Sequence, residues 1–282
     1  MGITTGSVST KDRLAPRLTY EEQRTESKTL AIFLHGLGLD ARDYRGYLDR
    51  GDGHGVALTL PGFEPDGVQS IPPVELATHV ELASSLVRRI AVENPGKRLA
   101  LVGFSLGADM ILRLAEHWWD NPAELPEIHS AVLLDPNVNQ STMTISRLFA
   151  DADPEDPVPA FTRLVSSAAD PGSLSAICQY VAKIAKKDFA QLRQMSRDMI
   201  DYWDPAGYEQ FGRRLAAVSG VAGQVRVVLS APYVEHLDAM RATAAEHGAR
   251  STEFELTGLD HFGLVNADVL AEQLEHLETQ SS

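Results

Sequence analysis

Gly103-Phe104-Ser105-Leu106-Gly107 is the stretch of this chain best suited to covalent chemistry. It follows the apolar run Leu99-Ala100-Leu101-Val102 and precedes a segment of helical character. A serine between two glycines at a strand-to-helix turn makes a nucleophile elbow, in which the tight turn pushes the hydroxyl out of the sheet. A side chain at either glycine would collide with the neighbouring strand or helix. A serine hydroxyl is a weak nucleophile at neutral pH. It needs a base within hydrogen-bond reach, and that base needs an orienting acid. Along the chain, elbow-type sites place the acid after the serine and the histidine last. His261 suits the base, because it lies in the turn Gly258-Leu259-Asp260-His261 after a short C-terminal strand and before a helix. His236, His247 and His276 read as solvated, and His117, beside Trp118-Trp119, as a packing or hydrogen-bonding residue. No histidine pair has the spacing His-Glu-x-x-His, so neither a metal nor a cofactor is expected.

These residues need a scaffold, and the hydrophobic pattern supplies one. Short continuous apolar runs at Thr29–Leu34, Val56–Leu60, Leu99–Phe104, Ser130–Leu134 and Val225–Leu229 suit strands buried on both faces. Leu18–Gln23 and Thr252–Leu256 read as further short strands. Between them lie helical stretches, such as Pro72–Val92, whose Leu76, Val80, Ala83, Val87 and Ile90 form one apolar stripe. Asp40–Asp49, Leu106–Trp118 and Leu264–Leu277 read as helices too. Strands alternating with helices predict an α/β fold, a doubly wound and mostly parallel sheet. From about Asn137 to Gly223 the alternation stops. Helical stretches such as Ser173–Lys187 and Phe189–Tyr202 fill this interval. It is too long for a simple connection. It predicts a helical cap at 137–223, inserted into a core formed by residues 17–136 and 224–282, with 1–16 as a mobile tail. Open α/β sheets bind ligands at the C-terminal ends of their strands, the end such a cap would cover. Its aromatic residues, Tyr180, Tyr202, Trp203, Tyr208, Phe149, Phe161, Phe189 and Phe211, are expected mostly to pack the cap itself, with some lining a pocket.

Composition narrows the partners. A chain of 282 residues with 44% hydrophobic and 23% charged residues reads as soluble and globular. A formal net charge of −14 disfavours nucleic acid and anionic membranes as partners. The polar start of the chain has no apolar run of a signal peptide, and no stretch suits a membrane span. With Cys178 as the sole cysteine, no internal disulfide forms, which fits a cytoplasmic location. Cys178 itself reads as a small buried residue, and Lys183, Lys186 and Lys187 as a solvated helix face. A homodimer stays open.

The chain resembles the α/β-hydrolase superfamily from about Leu18 to its C-terminus. The resemblance rests on His35-Gly36-Leu37-Gly38, Leu60-Pro61-Gly62-Phe63, the elbow at 103–107 and Asp260-His261-Phe262, in that order. It implies an oxyanion hole made by the backbone N–H groups of Leu37 and Leu106, with His35 holding the loop. Such fixed dipoles stabilise the negative oxygen of a tetrahedral intermediate. Most members carry the acid after the strand read here as Val225–Leu229, commonly as Gly-x-x-Asp. Here that loop reads Ser230-Ala231-Pro232-Tyr233-Val234-Glu235, which leaves Glu235 as the nearest carboxylate. A minority carry it one strand earlier, where this chain has Asp135 in Leu133-Leu134-Asp135-Pro136. The later loop looks shortened, and an unpaired imidazolium is costly, so Asp135 is preferred and Glu235 stays the alternative. Asp260 adjoins His261, and neighbours in a turn seldom point the same way.

The resemblance implies a serine hydrolase acting on an ester, thioester or lactone of a small acyl substrate through a Ser105-His261-Asp135 triad. An acyltransferase or cyclase would use the same acyl-enzyme with a different acceptor. A non-catalytic binding protein on the same fold is the reading from another class.

Overall fold

The computed structural model describes residues 2–9, 16–65 and 72–279. Its centre is one eight-stranded sheet: β1 (Thr4–Ser9), β2 (Arg17–Gln23), β3 (Thr29–Leu34), β4 (His54–Thr59), β5 (Arg98–Phe104), β6 (Ile128–Leu134), β7 (Ala222–Leu229) and β8 (Glu253–Leu256). The spatial order is β1-β2-β4-β3-β5-β6-β7-β8. The first two strands run antiparallel to their neighbours, and the rest pair in parallel. All six residues of β3 and all six of β4 are buried. This explains their unbroken apolar runs, because a parallel strand covered on both faces has no polar side.

The helices are α1 (Arg45–Leu48), α2 (Leu76–Glu93), α3 (Leu106–Asp120), α4 (Thr144–Ala150), α5 (Val158–Ser166), α6 (Pro171–Ile184), α7 (Phe189–Tyr202), α8 (Glu209–Val221), α9 (Leu237–Glu246) and α10 (Ala267–Thr279). Helix α3 packs on β3, β5 and β6, with α2 and α8 against it. Helices α1 and α10 pack on each other, and Tyr47 of α1 lies edge-on to Phe33 of β3. The interval between β6 and β7 holds α4 to α8. Of these, α4 packs on both α5 and α7, α5 packs on α6, and α7 also reaches α2, whereas α8 packs on α3 and β7 as a layer helix of the sheet.

Three expectations change. Residues 4–9, read as part of a tail, form β1 and pair with β2 from Thr4↔Glu22 to Ser9↔Arg17. The strand is polar and lies on the edge, so it lacks the apolar signature of the inner ones. Residues 1 and 10–15 of that segment lie outside the described residues. Cys178, read as buried, is exposed on α6. Lys187, read as part of a solvated face, keeps only 1% of its side chain exposed, because Asp40 and the Phe63 carbonyl meet its ammonium.

The register sets the site. Phe104 pairs with Leu134, Leu134 with Val228, and Leu229 with Leu256. The C-terminal ends of β5, β6, β7 and β8 therefore lie side by side, and the residues that follow them share one edge. At that edge the elbow glycines leave no room for a side chain. A Cβ on Gly107 would sit 1.9 Å from the Leu34 carbonyl oxygen, and one on Gly103 would sit 2.3 Å from that of Gly107. Both obstacles are backbone, which cannot swing aside. Gly107→Ala is expected to cost about 3 kcal/mol or more in denaturant unfolding. Gly258→Ala, where a Cβ meets nothing within 4 Å, is the control and should be near neutral.

Candidate active site

Ser105 occupies the one-residue bend between β5 and α3. Its φ of 52° and ψ of −117° are costly for a residue with a Cβ. The bend persists because it is held from several directions. The Ser105 N–H donates to the Leu134 carbonyl at 2.8 Å, and the Ser105 carbonyl accepts from Ala108 and Asp109. The strain points the hydroxyl away from the sheet, towards a cavity of about 430 Å3. Ser105, Leu37, Leu106, Asp135 and His261 all border that cavity.

His261 follows the turn after β8 and opens the short 3-10 turn Phe262–Val265. Its ring stacks at a tilt on Phe104, with centroids 4.6 Å apart, and lies edge-on to Phe262 at 5.3 Å. Its Nδ1 is 2.8 Å from Asp135 Oδ2. With Nδ1 donating to a carboxylate, Nε2 keeps the lone pair that a general base needs. Among the described residues, His261 hydrogen-bonds to Asp135 and not to Ser105.

Asp135 comes directly after β6 with φ at 45°, and it is 1% exposed. Its N–H donates to the Val228 carbonyl at 2.9 Å. Its Oδ1 accepts from the Ser230 N–H at 2.6 Å. Its Oδ2 accepts from the Ser230 hydroxyl at 2.5 Å as well as from His261. Three donors thus fix the carboxylate's rotation and offset the loss of its hydration. Glu235 ends the 3-10 turn Ala231–Glu235. It borders the cavity but is exposed. The Asp260 carboxylate accepts from the Gly263 N–H at 2.7 Å. Of the three carboxylates, Asp135 is the one that meets the imidazole.

The oxyanion candidates, Leu37 and Leu106, border the same cavity. The Leu106 N–H opens α3, where no carbonyl lies one turn back to receive it. Leu37 lies in the loop after β3. Among the described residues neither N–H has a protein acceptor. His35 braces the loop from beneath: its Nδ1–H donates to the Gly36 carbonyl at 2.8 Å, and its Nε2 accepts from the Leu60 N–H at 3.1 Å. That pair of bonds requires a neutral ring, and complete burial pushes the imidazole down to about 4.

The structure also assigns supporting contacts to residues that the sequence does not mark as part of the site. Ser230, directly after β7, donates through both its N–H and its hydroxyl to Asp135 and so fixes that carboxylate's orientation. Asp109, one turn into α3, accepts from the backbone and side-chain N–H groups of Asn137. It thereby ties the segment after Asp135 to the elbow helix, and burial raises its carboxyl to about 7. A lone acid on the apolar face Leu106–Leu112 was the available signal. His236, read as solvated, borders the cavity, with Nδ1 2.7 Å from the Tyr208 hydroxyl. Of the aromatic residues between β6 and β7, Tyr180 borders the cavity, while Phe149, Phe161 and Phe189 cluster edge to face. Among the described residues no group of three or more His, Cys, Asp or Glu could hold a metal ion. No described helix is long and apolar enough to cross a membrane.

The model of the alpha/beta hydrolase family matches residues 31–273. The fold is similar to solved structures of low sequence identity. An AqdC variant, described in recognition and ring-cleavage of the Pseudomonas quinolone signal, shares 18% identity with a TM-score of 0.72, covering 98% of this chain and 100% of that one. A thermophilic esterase from Thermogutta terrifontis shares 13% at a TM-score of 0.70, covering 97% and 99%. A membrane phospholipase A described as a bacterial virulence factor shares 18% at 0.64, covering 98% and 87%. No curated protein matches the chain.

Two tests follow from this geometry. Asp135→Asn should lower turnover about 10³- to 10⁴-fold, because the imidazole loses its orienting anion, while Glu235→Gln stays near wild type in steady-state kinetics. The second concerns pH. Unfolded His35 takes up a proton near pH 6.5, and folded His35 resists it down to about 4. Within that window the unfolded state binds more protons, so the contribution is full above it and is lost as pH falls. It amounts to about 3 kcal/mol. Denaturant unfolding from pH 7 to 4 should show the decline, and His35→Gln should make it shallower.

Proposed function

The chain belongs to the alpha/beta hydrolase family, and from that premise we propose that it is a serine hydrolase cleaving an ester, thioester or lactone of a small acyl substrate. The observation that carries this reading is the 2.8 Å Asp135–His261 hydrogen bond at the rim of the cavity that Ser105 enters from a strained turn. Ser105 Oγ attacks the acyl carbonyl, and His261 Nε2 takes its proton. Asp135 stabilises the imidazolium that forms. The Leu37 and Leu106 N–H groups receive the developing oxyanion, which collapses as His261 returns the proton to the leaving group. Water, activated by the same imidazole, then releases the acid. A cavity of about 430 Å3 suits a small acyl group. The cavity's lining mixes apolar side chains, such as Leu39, Leu164, Ile177 and Met199, with polar ones, such as Asn137, Ser141, Thr142 and Thr144. The substrate this favours has both apolar and polar parts. We also propose that α4 to α7 serve as a cap that shapes this cavity.

A second reading has its own support, in that His261 bonds to Asp135 without bonding to Ser105. The pair then acts as a base on an acidic proton of the substrate, with Ser105 only a hydrogen-bonding partner. The ring-cleavage named for AqdC is an instance of chemistry on this fold outside ester hydrolysis.

A fluorophosphonate probe separates the two. Under the first reading it labels Ser105, and Ser105→Ala removes both labelling and ester turnover by at least about 10⁴-fold. A protein that stays unlabelled, and whose Ser105→Ala variant keeps its turnover, supports the base reading and rejects the first.

A further inference from the structure

We infer that Tyr180, on the inserted helix α6, is a positioning residue that holds the oxyanion loop in its working geometry; the inference rests on the serine-hydrolase reading. Its hydroxyl donates to the Leu37 carbonyl at 2.7 Å across 143 residues of chain. Leu37 carries one of the two N–H groups assigned to the oxyanion. Within one residue the N–H and the carbonyl are separated by only two soft torsions. Anchoring the carbonyl therefore limits where the N–H can point. The loop lies outside the sheet, so no strand ladder does this work.

The tyrosine is built to do so. Its side chain is almost fully buried, which makes the hydroxyl's bond costly to break. Burial also holds the phenol far above its ordinary ionisation range, so it remains a donor throughout the working pH range. Its ring lies against Phe262 at 5.0 Å, and Phe262 follows His261 and lies edge-on to it. One side chain thus touches both the loop that carries Leu37 and the loop that carries the base.

The same helix and its exit clamp the loop further along. Lys187 Nζ meets Asp40 Oδ2 at 2.5 Å and the Phe63 carbonyl at 2.6 Å. Burial works against ionisation of Asp40, but bonds from Arg42 and Lys187 outweigh it and hold the carboxyl below its usual range. Lys183 pairs with Asp43. At Gly38, with φ at +74°, an added Cβ would sit 2.4 Å from Ile184, so the loop and α6 are in direct contact. Displacing the helix would release the segment around Leu37 at each of these points.

Tyr180→Phe tests the claim, since it keeps the ring on Phe262 and removes only the hydroxyl. The readouts are the rate of fluorophosphonate labelling and the steady-state hydrolysis of p-nitrophenyl acetate. The expected result is a fall of about tenfold to a hundredfold in kcat and labelling rate, with KM and the pH profile unchanged. Thermal denaturation normalises both to the folded fraction, so a purely structural role shows ordinary kcat per folded molecule and overturns the proposal. Should Tyr180→Phe fail to fold, Lys187→Met probes the same clamp from its other end, and unchanged kcat per folded molecule there overturns it too. The two levels fail differently. A wild-type protein that the probe does not label defeats the serine-hydrolase reading, whereas equal labelling of wild type and variant defeats only the role of Tyr180.

Discussion

The hydrogen bond between Asp135 and His261 is the constraint on which the site depends. It joins residues 126 positions apart, and no local preference could bring them together. It exists because β6, β7 and β8 pair in parallel with a register that ends all three strands at one edge. A slip of one residue in any of these ladders would turn the following side chains to the other face. The proposed chemistry thus rests on the core: the apolar strands set the register, and the register sets the distance between Asp135 and His261.

The rest of the site is arranged around that pair. The elbow places Ser105 beside it by a strained turn that only two glycines permit. Ser230, the residue directly after β7, donates twice to Asp135. The strand end that could have carried the acid therefore supports an acid one strand away. His35 and Asp109 brace the two neighbouring loops from inside, His35 through two backbone groups and Asp109 through the backbone and side-chain N–H groups of Asn137. On the solvent side the brace comes from the insertion, through Tyr180 and Lys187.

Legibility in the sequence followed the range of the interaction. The inner strands announced themselves as apolar runs, because burial on both faces leaves its mark residue by residue. The elbow was equally plain, since its glycines answer a local steric demand. Edge strand β1 was not, because a polar strand exposed to solvent carries no such mark. Asp135 and Glu235 both stood open, and what separates them in space is the β6–β7 register together with Ser230, which no single segment encodes. Lys187 looked solvated for the same reason, as its partner Asp40 lies 147 residues away. Cys178 was misread because composition favours burial of a lone thiol, whereas its place on α6 faces outward.

The central claim is that Asp135, and no other carboxylate, holds the base. Proton NMR of protein labelled with nitrogen-15 histidine reads that bond directly. The account requires a strongly deshielded Nδ1–H resonance from His261 that survives Glu235→Gln and is lost in Asp135→Asn. A resonance with the opposite dependence, or a His261 ring that exchanges freely with no such proton, would contradict it.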